Sequence, residues 1–191
     1  SWHAPVLVTA PGGKTEVVTA IIKQVLAFDA DSGQPLWRCN TGINCYYLDA
    51  PFIHDVYGPE WAERFIGLDT WVRAGVPVII SSDHMVGLDP DHSMNSYNPF
   101  RAMYAAVSRR TESGQVFGSG QKLSRLEALR AMTAVPAYLN SEEDKSGTLE
   151  NGKFADFVVI DRDYLTCPEK EILRIKPVRT VVAGRTVFQR Q

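Results

Sequence analysis

The first forty residues alternate between apolar and polar positions in short runs that turn signals separate. Apolar and β-branched residues dominate the runs 5–10, 15–20, 21–28 and 34–38. A Pro-Gly-Gly cluster and an Asp-Ala-Asp-Ser-Gly cluster lie between runs, and such clusters are typical of tight turns between antiparallel strands. The pattern predicts an all-β segment over residues 1–42.

From residue 51 onwards the apolar positions change to the period of a helix. Trp61, Phe65 and Leu68 fall on one face of a helix that begins at Gly58-Pro59, because Pro is favoured in the first helical turn. Capping and turn signals predict three helices, which begin at Asn98, at the Ser124–Glu127 capping box and near Pro136. The rest of the chain predicts a buried strand at 155–160, a short helix at 168–175 and a hairpin of strands 178–182 and 185–188. These elements indicate an α/β unit, which the stretch 40–50 joins to the all-β segment.

One short apolar run, residues 76–80, predicts a strand of the kind that is buried on both faces of a parallel sheet. Asp83 and His84 follow this run. Because ligands bind beyond the carboxyl ends of parallel strands, Asp83 is a candidate to bind a metal ion or to take a proton from metal-bound water. The alternative is that Asp83 caps the next turn. His84 is a candidate for substrate contact or proton transfer, or an ordinary loop residue.

The remaining histidines and the cysteines predict no self-contained metal site. The chain has no His-x-His pair and no HExxH motif, and its three cysteines form no CxxC pair. We expect free thiols, which fits a reducing compartment. The stretches 27–37 and 147–160 each combine glycines with an aspartate, Asp29 or Asp156, and predict turns whose backbone the carboxylate binds.

Composition and charge exclude several classes of protein. The 191 residues include 20 basic and 22 acidic side chains, for a net charge of −2, and 45% are hydrophobic. These values argue against a disordered chain and against a nucleic-acid-binding module. No apolar run approaches the roughly 20 residues that span a bilayer, and no secretory signal pattern opens the chain. We therefore expect a cytoplasmic protein without nucleic-acid or membrane partners. A complete (β/α)₈ barrel takes about 250 residues, more than this chain contains.

Residues 51–191 resemble the C-terminal part of the amidohydrolase superfamily, in its amidohydrolase family three branch. The resemblance rests on motifs that occur in the family's order: Gly-Pro-Glu-Trp-Ala-Glu-Arg-Phe at 58–65, Ala-Gly-Val-Pro-Val at 74–78, Ser82-Asp83, Tyr-Asn-Pro-Phe at 97–100, Ala-Val-Ser-Arg at 106–109, Leu-Ser-Arg-x-Glu-Ala-Leu at 123–129, Gly-x-Leu-x-x-Gly-Lys-x-Ala-Asp at 147–156, and the closing Val-Val-x-Gly-Arg-x-Val-Phe hairpin.

This resemblance implies a metal-dependent hydrolase that cleaves carbon–nitrogen bonds other than peptide bonds. It implies an α/β fold in which residues 51–145 form the end of a (β/α)₈ barrel and 146–191 part of its small β-sandwich. Asp83 matches the Asp at the end of the eighth strand, which binds the metal, most commonly zinc, and handles the proton of the attacking water. The family's His-x-His pair, its Lys or Glu ligand and its two later histidines have no counterpart here, and His54 matches no ligand position.

Residues 1–42 are similar to a different family. The spacing Ala27-x-Asp29-x-x-x-Gly33-x-x-x-Trp37 resembles the repeat of quinoprotein-type β-propellers, of which this segment would be one blade. One blade buries little surface by itself. We expect these strands to pack on the C-terminal hairpin instead.

The sequence therefore predicts an amidohydrolase-type enzyme, acting on a small-molecule amide and present here as an incomplete C-terminal piece. Two alternatives remain open: a non-catalytic remnant or binding module, and a half-enzyme that a complementing N-terminal chain completes. Because part of a barrel leaves strand edges and apolar faces uncovered, we also expect the chain to form homo-oligomers or to bind such a partner chain.

Overall fold

The structure is a computed structural model that describes residues 5–10, 12–21, 24–40, 45–81, 98–111 and 113–191. Two antiparallel sheets and a helical region between them make up this part of the chain. No helix among these residues is long and apolar enough to cross a membrane.

The N-terminal sheet has four strands that follow one another in sequence order. β1 (Val6–Thr9), β2 (Thr15–Ile21), β3 (Gln24–Asp29) and β4 (Pro35–Asn40) pair antiparallel. Val6 lies opposite Val18 and Glu16 opposite Asp29, and a register shift interrupts the pairing of β3 with β4 near residue 27. The four predicted strands are confirmed, because short alternating runs with strong turns between them need only local pairing.

The turn after β3 confirms the prediction made for Asp29. Its carboxylate accepts hydrogen bonds from the Ser32 backbone N–H and hydroxyl, both at 2.7 Å, and its second oxygen lies 2.6 Å from Lys14 Nζ. The hydrogen bond from Lys14, together with those from Ser32, holds the pKa of Asp29 well below its usual range. Gly33 closes the turn at a φ of 69°, a conformation that suits glycine.

The described residues that follow contain six α-helices and two 3₁₀ helices. They are α1 (Cys45–Tyr57), α2 (Pro59–Arg64), α3 (Leu68–Arg73), α4 (Pro99–Ser108), α5 (Arg125–Met132) and α6 (Ala134–Leu139), and the 3₁₀ helices are Ser119–Gln121 and Glu169–Arg174. The starts of α2, α4 and α5 are as predicted. The junction expected at 40–50 already contains the start of α1. The single helix that Trp61, Phe65 and Leu68 predicted is divided, because Ile66 has a left-handed φ of 54° between α2 and α3.

The hydrophobic core gathers around α4. Seven consecutive residues of this helix, from Ala102 to Ser108, are buried, and three of them are alanines that let neighbouring elements approach closely. The buried cluster extends from Ala50 to Ile175 and includes Val78, Ile80 and Ile172. Among the residues that the structure describes, none from the N-terminal sheet belongs to this cluster.

Residues 76–80 differ from the prediction of a paired strand. They belong to neither sheet, although Val78 and Ile80 are buried. Ile80 N–H donates to Ala131 O at 3.0 Å, and Val76 N–H donates to Trp71 O at 2.9 Å. An apolar run predicts that a segment is buried, but it does not predict which elements contact that segment. Here residues 76–80 pack against helical residues. In the described part of the chain both sheets are antiparallel, so a parallel barrel sheet is not confirmed.

The C-terminal sheet has the order β5 (Phe157–Ile160), β6 (Pro177–Val182) and β7 (Arg185–Gln189). Its hairpin turns through Ala183 and Gly184 at φ values of 48° and 75°, the left-handed pair of a two-residue turn. The predicted hairpin is confirmed. The prediction of a buried β5 is wrong, since three of its four side chains are exposed. Among the described strands, none from the N-terminal sheet packs extensively on this sheet, contrary to expectation.

Candidate functional site

The two predicted site residues, Asp83 and His84, lie outside the described residues. His3 and His92 also lie outside them. The geometry that bears on the candidate site is therefore that of the chain on either side of residues 82–97.

The segment that leads to Asp83 is held firmly in the core. Val78 is 7% exposed and Ile80 3% exposed, and the backbone bond from Ile80 to Ala131 links this segment to α5. Ser81, the next residue, is exposed. The chain thus changes from buried to solvent-accessible two residues before Asp83.

The chain returns to the core at α4. The Asn98 side chain caps this helix, with its Oδ1 accepting the Phe100 N–H at 3.0 Å, and Pro99 occupies the first turn. This is the cap that the sequence predicted. The described residues on both sides of the predicted site segment, Ile80 and Asn98, are therefore buried and bonded to core helices.

Arg109 is a buried charged residue at the end of α4 that the sequence did not single out for a role. Its guanidinium donates to three backbone carbonyls: Phe65 O at 2.6 Å, Ile66 O at 3.1 Å and Phe117 O at 3.3 Å. These bonds tie α4 to the junction between α2 and α3. The side chain is fully buried, so it has a structural role as a bridge within the core. The Ala-Val-Ser-Arg motif at 106–109 was the only sequence feature that included Arg109.

His54 is the one histidine among the described residues, and it lies on α1. Its Nδ1 is 3.0 Å from Asp55 Oδ1, and its ring packs against Phe117 with centroids 5.3 Å apart. The side chain is 42% exposed. Within the described ranges, no group of three or more His, Cys, Asp or Glu side chains could hold a metal ion. The described residues therefore do not fit a zinc site.

The remaining motifs have structural roles. Asp156 Oδ1 accepts the Ala183 N–H at 2.6 Å, so the carboxylate binds the turn between β6 and β7, a turn distant in sequence. Cys167 is a free thiol. Arg125 donates to the backbone oxygens of Tyr164 and Cys167, both at 2.5 Å, and thereby fixes the chain that follows β5 onto α5.

A family model and one curated relative match most of the described chain. The sequence model of the amidohydrolase family matches residues 34–188, a region that begins before residue 51, where the sequence motifs indicated the resemblance. The N-substituted formamide deformylase of Arthrobacter pascens is 33% identical over 117 residues. That alignment covers 61% of this chain and 20% of the relative, so the chain spans about a fifth of the curated relative's length.

A crystal structure of an amidohydrolase from Thermotoga maritima MSB8 is also similar. It has a TM-score of 0.46 and 17% sequence identity, and the match covers 77% of this chain and 36% of that one. Because the family's sequence model spans most of the chain, from β4 to β7, this chain belongs to the amidohydrolase family.

Proposed function

We propose that the protein hydrolyses carbon–nitrogen bonds other than peptide bonds in small-molecule amides. The observation that carries this proposal is the family match over residues 34–188. The name of the Arthrobacter pascens relative makes N-substituted formamides the first substrates to test.

We propose Asp83 as the catalytic carboxylate. It follows in sequence the buried residues 76–80, of which Ile80 is bonded to α5, and the resemblance matches it to the family's catalytic Asp. In the amidohydrolase pattern a divalent metal, zinc by resemblance, would polarise the substrate when bound, and Asp83 would be one of its ligands. His84 is the weaker candidate, as a residue that contacts substrate.

No catalytic step is assigned through a metal ion. One carboxylate does not fill a hydrolytic zinc site, which normally has three protein ligands and an open position. The described residues supply no ligand cluster. The role proposed for Asp83 is therefore limited to holding a ligand and moving a proton at its carboxylate oxygens.

We also propose a division of the chain. Residues 51–145 would be the last part of a (β/α)₈ barrel and 146–191 part of its β-sandwich, with 1–42 a separate β segment. The helices α2 to α6 fall within the first range and β5 to β7 within the second, which supports the boundary near residue 146, whereas α1 (Cys45–Tyr57) crosses the boundary at residue 51.

The substitution Asp83→Asn tests the catalytic role. We expect it to lower turnover of N-substituted formamides roughly 10²- to 10⁴-fold, the usual contribution of a positioned acid or base. Asp89→Asn is the matched control, since it makes the same change in the same segment and is expected to keep activity. Equal activity of Asp83→Asn and the control would contradict the assignment.

A second candidate is a half-enzyme that a complementing chain completes. The observation in its favour is that the described residues hold no metal-ligand cluster. Elemental analysis of the purified 191-residue chain separates the two candidates. About one zinc or similar ion per chain would support a site assembled here, and metal content near zero would favour the half-enzyme or a non-catalytic role.

A further inference from the structure

An asparagine followed by a glycine lies in the turn that precedes the C-terminal sheet. Lys153 N–H donates to Glu150 O at 3.2 Å, so Asn151 and Gly152 are the two central residues of a β-turn. Gly152 has a φ of 91°, a conformation that suits glycine. The Lys153 ammonium anchors the turn, with Nζ 2.9 Å from Glu150 Oε2 and 2.7 Å from Thr148 Oγ1. The anchored turn leaves both of its central residues exposed.

The side chain of Asn151 and the backbone nitrogen of Gly152 are free to approach each other. Neither the Asn151 side-chain amide nor the Gly152 N–H forms a hydrogen bond with another residue that the structure describes. A Cβ built at Gly152 would meet nothing within 4 Å, so the space beside this nitrogen is open. The Asn151 side chain can therefore rotate towards the Gly152 nitrogen without breaking a hydrogen bond.

The two other asparagines whose side chains the structure describes are held differently. Asn98 precedes Pro99, which has no N–H, and its side chain already caps α4. Asn140 is exposed like Asn151, but the N–H of the next residue, Ser141, donates to a backbone carbonyl at 3.0 Å. Of these three asparagines, only Asn151 precedes a backbone N–H without a partner in the described part of the chain.

We propose that Asn151 is a site of spontaneous deamidation and isoaspartate formation in the folded protein. Hydroxide removes the proton of the Gly152 nitrogen, which attacks Asn151 Cγ. The N–Cγ bond forms, the Cγ–Nδ2 bond breaks, and the amide nitrogen takes a proton from water and leaves as ammonia. The product is a five-membered succinimide ring. The reaction is intramolecular, and glycine, which has no Cβ, offers the least hindered backbone nitrogen.

Water then opens the succinimide ring in one of two ways. Addition of water at Cγ breaks the N–Cγ bond and leaves aspartate, with the main chain restored. Addition at the backbone carbonyl carbon leaves isoaspartate, in which the main chain passes through Cγ and is one carbon longer. Both products add one negative charge beside the Glu150–Lys153 ion pair, and isoaspartate also lengthens the turn that the Lys153 N–H closes.

Peptide mass spectrometry of the 191-residue chain tests the proposal. Trypsin, which cleaves after Lys and Arg, releases residues 146–153 with Asn151 as their only asparagine, and residues 131–145 with Asn140 as theirs. After incubation of the folded chain in mildly alkaline buffer, we expect the first peptide to gain one mass unit and the second to stay unchanged. The rate should rise with pH, because the attacking nitrogen has to lose its proton.

The same incubation in urea separates the effect of the fold from that of the sequence. We expect residues 146–153 to be modified in both the folded and the unfolded chain, because the folded turn leaves Asn151 and the Gly152 nitrogen accessible. A folded chain in which these residues stay unmodified, whatever happens in urea, would overturn the proposal. Equal modification of residues 131–145 in the folded chain would contradict the role assigned to the unpartnered Gly152 N–H.

Methyl transfer from S-adenosylmethionine by a protein isoaspartyl methyltransferase detects the isoaspartate directly. We expect the incubated chain to accept methyl groups and Asn151→Gln to lower this acceptance roughly tenfold or more, since glutamine would have to close a six-membered ring. Asn140→Gln makes the same change at another exposed asparagine and should leave the acceptance unchanged. Far-UV circular dichroism verifies that both variants are folded. An Asn151→Gln chain that accepts as many methyl groups as the parent chain would show that the assignment is wrong.

Discussion

Single residues decide how the helices of this chain meet. Among the described residues, Arg109 is the largest fully buried side chain. Its planar guanidinium donates to three backbone carbonyls in different directions, which no other side-chain type can do. Gly118 lies against it, so close that a Cβ there would be 2.7 Å from Arg109 Nη2. The bridge therefore depends on a long, forked cation and on a neighbour without a side chain.

We expect Arg109→Ala to lower the free energy of unfolding by about 3 kcal/mol or more, because it leaves buried carbonyls without donors. Arg109→Lys keeps the charge but lacks the fork, so it should recover only part of this loss. Urea denaturation at neutral pH measures both. Arg110→Ala, at the exposed next position, should change stability by less than about 0.5 kcal/mol. A comparable loss in Arg110→Ala would show that the bridge is not the cause.

At the scale of elements, the start of α5 shows how a local motif becomes part of the tertiary structure. Ser124 Oγ accepts the Glu127 N–H at 3.2 Å, and Glu127 Oε2 accepts the Ser124 N–H at 2.8 Å. Glu127 Oε1 also lies 2.9 Å from Arg73 Nη2, which joins α5 to α3. The hydrogen bonds from the Ser124 side chain and backbone lower the pKa of Glu127, and Arg73 adds to this effect.

This lowered pKa makes the capping box dependent on pH. A carboxyl whose pKa is lower in the folded state stabilises the fold above its ordinary value of 4.5, and this stabilisation is lost as the pH falls through the folded-state pKa. Glu127→Gln should therefore cost about 1 kcal/mol at pH 7 and progressively less below pH 4.5. Denaturant unfolding of both proteins between pH 7 and pH 3 measures the difference. A difference that does not shrink on acidification would contradict the assigned cause.

At the scale of the whole molecule, the main core and the N-terminal sheet share no buried residue among the side chains that the structure describes. The buried cluster runs from Ala50 to Ile175 and takes in α4, α5 and residues 76–80. The N-terminal sheet is held by its own strand pairing and by the Lys14–Asp29 ion pair. Stability of the core should therefore depend little on that sheet.

Deletion of residues 1–40 tests this separation. We expect the thermal midpoint of the remaining chain to stay within about 4 °C of the full chain, which corresponds to roughly 1 kcal/mol at this size. Thermal unfolding followed by the helical signal in far-UV circular dichroism is the measurement. A much lower midpoint would mean that the N-terminal strands stabilise the rest of the chain, as the expected packing on the C-terminal hairpin would do.

Local signals in the sequence were enough to predict most elements of this protein. The four N-terminal strands, the Asn98 cap, the Ser124–Glu127 box and the closing hairpin all depend on residues within a few positions of one another. The family motifs also predicted the family, because they record residue order rather than packing. The catalytic role of Asp83 stays a prediction. It rests on the family motifs and on the position of Asp83 after residues 76–80.

Only the tertiary structure decided which surfaces are covered. The apolar run 76–80 is buried by helices without pairing as a strand, whereas the equally apolar β5 is exposed. The spacing of the apolar residues favoured one continuous helix, but Ile66 has a left-handed φ and interrupts it. The backbone carbonyl of Ile66 accepts a hydrogen bond from Arg109. Hydrophobicity determines that a segment gains from burial, but the segments that meet it are distant in sequence, so its neighbours follow from packing alone.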